Sequence, residues 1–376
     1  MNADIKHREV NMLKELLKER DYLPITVGED GMPVTKEKWD ERRREFLHLL
    51  EKYSYGITPD IKSSVVGEVV FHDESNRSCA GKVIHEKINI ICHTEYGDFS
   101  IPVQLFIPKK VDKPPVFLHI AFNHVPDKYI PAEEITDGGY ALAVVVYTDI
   151  VNDRHYGDFS DGLAALFGVN SPRRDDEWGK IGMWAFGTSR VLDYLITRDD
   201  IDTEKVAVIG HSRLGKTALW CAAQDERFAA AISNNSGYGG AASSKHGTGE
   251  RVDDFLRVGS WDWYCENFKR FSGELEDCKP YDQSFLLALI APRILIVGSA
   301  EEDAPADPKS EFLTSLHASQ AWDLLGYDGL ITPDRMPAPG DLLMDGNVCY
   351  HYRSHGHFLS RGDWAAYMKI LDEKFK

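Results

Sequence analysis

The sequence holds no run of 18 apolar residues, so nothing in it reads as a membrane-spanning helix. Its first twenty residues, MNADIKHREVNMLKELLKER, contain no apolar segment of the kind that heads a secretory signal, and the expected compartment is the cytoplasm. Basic residues are in deficit: 43 Lys and Arg stand against 60 Asp and Glu, a formal net charge of −17. A phosphate backbone or an anionic membrane needs the opposite sign, so neither nucleic acid nor membrane is an expected partner. The six cysteines (Cys79, Cys92, Cys221, Cys265, Cys278, Cys349) include no CxxC pair. This argues against a zinc knuckle or a disulfide framework and for reduced thiols. Nor is there a linker or internal repeat to divide the chain.

What is present is a long α/β pattern. Residues 4–19 and 36–54 have helical periodicity and read as accessory helices, so that 1–58 is an N-terminal decoration on a catalytic domain at 59–376. Three strands follow at 64–71, 83–93 and 99–107, the last two joined by the turn-like TEYGD. Then come apolar runs of the kind buried on both faces: PPVFLHIAFN, GYALAVVVY at 139–147, VAVIG at 206–210, AAAISNN at 229–235 and RILIVGSA at 293–300. Helical segments at 178–197, 214–224, 281–290, 308–325 and 363–375 alternate with them. Such alternation predicts a mostly parallel, doubly wound sheet with helices on both faces, preceded by an antiparallel start.

The chemistry concentrates at VAVIG-HSR-LGKTALW. A buried strand ends at Gly210, Ser212 occupies the turn, and a helix begins at Leu214. This is the context of a nucleophile elbow, with the second glycine at Gly215, one place later than in GxSxG. A helix-capping serine is the plainer alternative. A serine nucleophile needs a base and an orienting acid, which in this class of fold follow in the order serine, acid, histidine. The acid is sought in SAEEDAPADP after the strand at 293–300. Asp303 is the first choice, Glu302 the second and Glu301 the third, while Asp307 before Pro308 reads as a helix cap. The base is sought among His351, His355 and His357, with His357 nearest the final helix. His355-Gly-His357 has no HExxH or cysteine partners, and no metal or cofactor is expected.

GHSRLGKTAL resembles the G-C/H-S-R-x-G-K signature of the glucuronoyl esterases, carbohydrate esterase family 15. NNSGYGGAA, WDWYCENFKRF, the 291–312 segment and the terminal H-x-H loop are similar to bacterial members. The resemblance implies an α/β-hydrolase fold and serine esterase chemistry on uronate esters of the kind that join xylan to lignin alcohols. It implies Ser212 as nucleophile, His357 as base, Arg213 in the oxyanion hole and Lys216 on the sugar. Asn235 stands where fungal members carry the acid, which favours the 301–303 cluster. Pro305 stands where bacterial members carry a tryptophan, leaving Trp261 or Trp263 as aromatic platforms. A cytoplasmic member is expected to act on short imported esters. A sugar O-acetyl esterase on the same triad and a non-catalytic carbohydrate-binding protein are the alternatives.

Overall fold

In the computed structural model, which describes residues 11–75, 77–169 and 172–375, ten strands form one sheet. They are β1 (Ser63–Asp73), β2 (Val83–Thr94), β3 (Gly97–Pro108), β4 (Val116–Ala121), β5 (Ala141–Val146), β6 (Val206–His211), β7 (Ala230–Asn234), β8 (Ile294–Ala300), β9 (Leu342–Leu343) and β10 (Val348–Arg353). Their order is β1-β2-β3-β5-β4-β6-β7-β8-β10-β9. The first three strands and β5 pair antiparallel through β3; from β5 to β10 every pairing is parallel. β9 closes the far edge antiparallel to β10.

The central parallel strands β4, β5, β6 and β7 are buried along their whole length, which is why they read as unbroken apolar runs. Successive side chains leave a strand on opposite faces, and the core divides accordingly. Leu118, Ile120 and Val208 belong to one apolar layer, Phe117, Ala207 and Ile209 to the other. The first layer is covered by α5 (Lys180–Leu195), α6 (Arg213–Gln224), α8 (Gln283–Ala288) and α9 (Pro308–Ala318). The second is covered by α3 (Ala132–Asp137) and α11 (Arg361–Lys374). Three layers result, as the alternating pattern predicts.

Of the helix expected over 4–19, residues 4–10 lie outside the described residues; α1 spans Met12–Arg20. The second expected helix appears as α2 (Trp39–Leu50), continued by a π-turn to Tyr55. Leu13, Phe46, Leu50 and Tyr55 belong to the same apolar layer as the sheet. Phe46 stacks on Phe285 of α8 at 3.9 Å. The helix expected over 308–325 is two helices, because the chain turns at Ser319 between α9 and α10 (Gln320–Leu325). The Ser319 hydroxyl donates back to Ser315 O and accepts from Leu330 N–H, a local alternative to the helical ladder. The short helices α4 (Gly162–Leu166) and α7 (Val252–Val258) were not legible in the periodicity. Among the described residues no helix is long and apolar enough to cross a membrane.

Candidate active site

Ser212 joins β6 to α6 with φ +60° and ψ −129°. The left-handed backbone at a non-glycine residue is strained, and it persists only where the surroundings enforce it. Gly210 shows how tightly: a Cβ there would sit 2.0 Å from Leu214 O. One on Gly215 would lie 3.1 Å from Gly210 O and from Ser236 Cβ. The displaced second glycine therefore serves helix-to-strand packing. Ser212 N–H donates to Asn234 O at 2.9 Å, tying the turn to the next strand. Arg213 and Leu214 open the helix, so their N–H groups have no preceding turn to bond.

The neighbouring strand ends supply the remaining groups in register order. Asn235 follows β7, and Asp303 follows β8 as a 3% exposed carboxylate. Asp303 Oδ2 accepts from His357 Nδ1 at 2.6 Å and from Asn235 Nδ2 at 2.8 Å. Burial pushes the Asp303 carboxyl up, but the bonds from His357 and Asn235 outweigh it and hold the group below its usual range. Glu301 and Glu302 are exposed on the same turn. Asp307 caps α9, accepting from Ser310 N–H at 3.0 Å.

Of the three candidate histidines, His351 lies on β10, 3.2 Å from buried Asp363. His355 is exposed, 3.9 Å from Glu302. His357 alone meets Asp303, and its half-exposed ring lies 4.4 Å from the ring of His211, the residue before Ser212. His211 is buried, and burial, with His357 second, pushes its imidazole down to about 3, so it is neutral. Its Nδ1 meets Asn234 Oδ1 at 2.7 Å, and Asn234 Nδ2 donates to Tyr367 Oη at 2.7 Å.

A cleft of about 560 Å³ adjoins these groups, lined in part by His155, Arg213, Glu250, Phe255, Trp263 and Pro305. Arg213 places its guanidinium carbon 4.6 Å from the centre of the Trp263 ring. Its Nη1 is ion-paired with Asp153 Oδ2. Trp263 Nε1 donates to the other oxygen of Asp153 at 2.7 Å, and Tyr147 Oη donates to Oδ2 at 2.9 Å. Asp153 thus orients both cleft side chains from below. No motif of the sequence marks it. Its signal was its position just beyond the C-terminal end of β5, where ligand sites gather in parallel sheets.

Lys216 occupies a different place from the cleft surface the resemblance implies. Its side chain is 3% exposed and donates to Ser236 O at 2.7 Å, Tyr238 O at 2.6 Å and Glu250 Oε2 at 3.1 Å. All three ammonium protons are engaged. Glu250, partly exposed, is the group it presents to the cleft. Trp263 lines the cleft beside Pro305, whereas Trp261 lines a separate cavity. Among the described residues no cluster of three His, Cys, Asp or Glu is disposed to hold a metal.

Comparison with known proteins places this arrangement among relatives. A family model described as "Glucuronyl esterase, fungi" matches residues 99–326. The chain is 34% identical to carbohydrate esterase MZ0003 from an unknown prokaryotic organism, over 91% of this chain and 87% of that one. It is 30% identical to a 4-O-methyl-glucuronoyl methylesterase of Schizophyllum commune, over 73% of this chain and 65% of the fungal one. The solved glucuronoyl esterase of Solibacter usitatus superposes with a TM-score of 0.86 at 30% identity, covering 94% of this chain and 98% of the other. A promiscuous esterase of carbohydrate esterase family 15 from a marine bacterial metagenome gives 0.82 at 32% identity, covering 93% and 96%.

Proposed function

Because the chain belongs to the glucuronoyl esterase family, carbohydrate esterase family 15 of the α/β-hydrolases, we propose that Ser212, His357 and Asp303 are its catalytic triad. The enzyme is a serine esterase acting on carbohydrate esters. We further propose the carboxylic ester of a glucuronate unit as its substrate, in line with the names of its relatives. The observation that carries this reading is the 2.6 Å bond from His357 Nδ1 to buried Asp303, formed beside the strained Ser212 turn.

With Nδ1 engaged by Asp303, His357 offers Nε2 to the serine. It takes the Ser212 proton as Oγ attacks the ester carbonyl. The negative charge that develops on the carbonyl oxygen meets the first N–H groups of α6 and the guanidinium of Arg213. Both are set before the reaction starts, the second by Asp153. His357 then protonates the departing alcohol, and water, activated by the same imidazole, releases the acid from Ser212. The cleft offers a cation at Arg213, an aromatic face at Trp263 and a carboxylate at Glu250 for sugar hydroxyls. Asn235 Nδ2 takes no part in proton transfer; it fixes the ionised form of Asp303.

Ser212→Ala is expected to abolish hydrolysis of methyl glucuronate ester, leaving a well-folded protein. An unchanged rate refutes the serine mechanism. Wild-type activity confined to acetylated xylose, with none on the glucuronate ester, refutes the substrate.

A further inference from the structure

His357 stands on a loop that packing does little to hold. Residues 354–358 run from the end of β10 toward the cap of α11. His355 is exposed, with φ +73°. A non-glycine residue keeps that left-handed backbone only where its surroundings enforce it. Gly356 has open space where a Cβ would stand, so nothing packs over the crest of the loop. The His357 ring is half-exposed and tethered to Asp303 at Nδ1. A single tether fixes a distance but not a direction.

Arg353, the last residue of β10, supplies what packing does not. Its Nη1 donates to Ser354 O at 2.9 Å and its Nη2 to Phe358 O. One guanidinium thus bridges the first and last residues of the loop. Its Nε donates to both oxygens of Asp363, at 2.9 and 3.0 Å. Asp363 is fully buried in the first turn of α11, where it accepts from the Ser360 N–H and hydroxyl, both at 2.7 Å. The helix holds the guanidinium, and the guanidinium holds the loop.

The other flank of the loop is tied to the acid. Arg353 pairs with Ala300 where β8 and β10 run side by side. Glu301 N–H donates to Arg353 O at 2.9 Å, and Glu302 N–H to His355 O at 3.1 Å. The turn that carries Asp303 and the loop that carries His357 are therefore joined through their backbones as well as through the imidazole. A buried ion pair is a weak source of stability in itself. Capping α11 needs only Ser360 and Asp363, yet Arg353 spends its two outer nitrogens on the ends of the loop that bears the base.

We propose that Arg353, seated on Asp363, is the positioning residue for the catalytic base: it closes loop 354–358 and so fixes the direction in which His357 offers Nε2 to Ser212. The proposal rests on the reading of His357 as that base. Misplacing a catalytic group by about 1 Å can cost about 10²-fold in rate, whereas substrate binding in the cleft does not depend on this loop.

The experiment measures kcat and KM on methyl glucuronate, with melting temperature, for Arg353→Ala, Arg353→Lys and His357→Ala. Arg353→Ala is expected to lower kcat about 10²-fold with KM within about twofold of the wild type. Arg353→Lys keeps a cation beside buried Asp363, but its single ammonium cannot reproduce the planar fork. Its kcat is expected to fall about tenfold, again with KM unchanged, and it carries the test if Arg353→Ala does not fold. A folded Arg353→Lys with kcat within about twofold of the wild type overturns the proposal, as does a loss carried by KM in either variant. His357→Ala separates the two readings. If it abolishes hydrolysis while Arg353→Lys is unimpaired, the triad stands and the positioning role alone fails. If it leaves kcat unchanged, the triad reading fails and the positioning role falls with it.

Discussion

On one side of the cleft the working groups stand at the ends of adjacent parallel strands: Ser212 after β6, Asn235 after β7, Asp303 after β8 and His357 beyond β10. On the other side Asp153, His155, Ser260 and Trp263 come from loops distant in sequence, held to each other and to α5 by side chains. The strand side inherits its geometry from the ladder: Ser212 N–H bonds Asn234 O, and Asn235 N–H bonds Gly298 O at 2.7 Å. The loop side depends on particular charges, Asp153 with Arg213 and Lys180 with Asp262. Rigidity of the ladder suits the proton-transfer groups, whose alignment tolerates little error. Loops suit recognition, because their length and composition vary without disturbing the sheet.

If this division is right, a change on the strand side acts on kcat. Asp303→Asn is expected to lower kcat on methyl glucuronate by about 10³–10⁴-fold with little change in KM, since the amide no longer holds the imidazole in its working tautomer. A loss below about tenfold breaks the comparison and moves the acid elsewhere, with Glu302→Gln as the check.

The seam between the two sides is the Asp153–Arg213 pair. Asp153→Asn keeps the shape but removes the charge that orients the guanidinium. The expected loss in kcat/KM is about 10–100-fold, less than removing an oxyanion donor outright. Arg213→Ala and the double variant complete a cycle. Asp153→Asn should cost almost nothing once Arg213 is absent, because the two act as one unit. Additive losses would show that Asp153 serves Trp263 instead.

The same division governs what was legible in the sequence. Unbroken apolar runs identified the strands because both faces of the parallel sheet are buried. The serine turn was legible from Gly210 and Gly215, whose missing side chains the structure explains by backbone contacts. Three carboxylates and three histidines remained open in the sequence. Burial separates Asp303 from the exposed Glu301 and Glu302, and burial is a property of the fold. Asn235 read as a lost carboxylate, although it donates to Asp303. The family resemblance implies Lys216 on the sugar, but a motif does not report depth, and its ammonium is buried against Ser236 O, Tyr238 O and Glu250. Asp153 stood 60 residues from its partner, beyond any local pattern.

The smallest expected effect concerns what lies under the strand side. Glu311 of α9 is fully buried, accepting from Ser236 N–H at 2.9 Å and Gly237 N–H at 3.0 Å, and from the Ser299 hydroxyl. It therefore pins the turn that directly follows Asn235. Burial, with the nearby Asp303 charge adding to it, raises its carboxyl from 4.5 to about 8 against these bonds. The folded chain thus holds a proton that the unfolded chain has already released. The stability this confers is complete below about pH 4.5 and is lost as pH rises toward and through 8. Glu311→Gln keeps both N–H acceptances and donates to Ser299 through its amide, but cannot titrate. Its melting temperature should fall less than the wild type's between pH 5 and pH 8, by a few degrees, with kcat at pH 6 within about twofold. Equal pH slopes in the two proteins would mean that Glu311 is ionised at neutral pH, and that the Ser236–Gly237 turn is held by a full negative charge rather than by a neutral carboxyl.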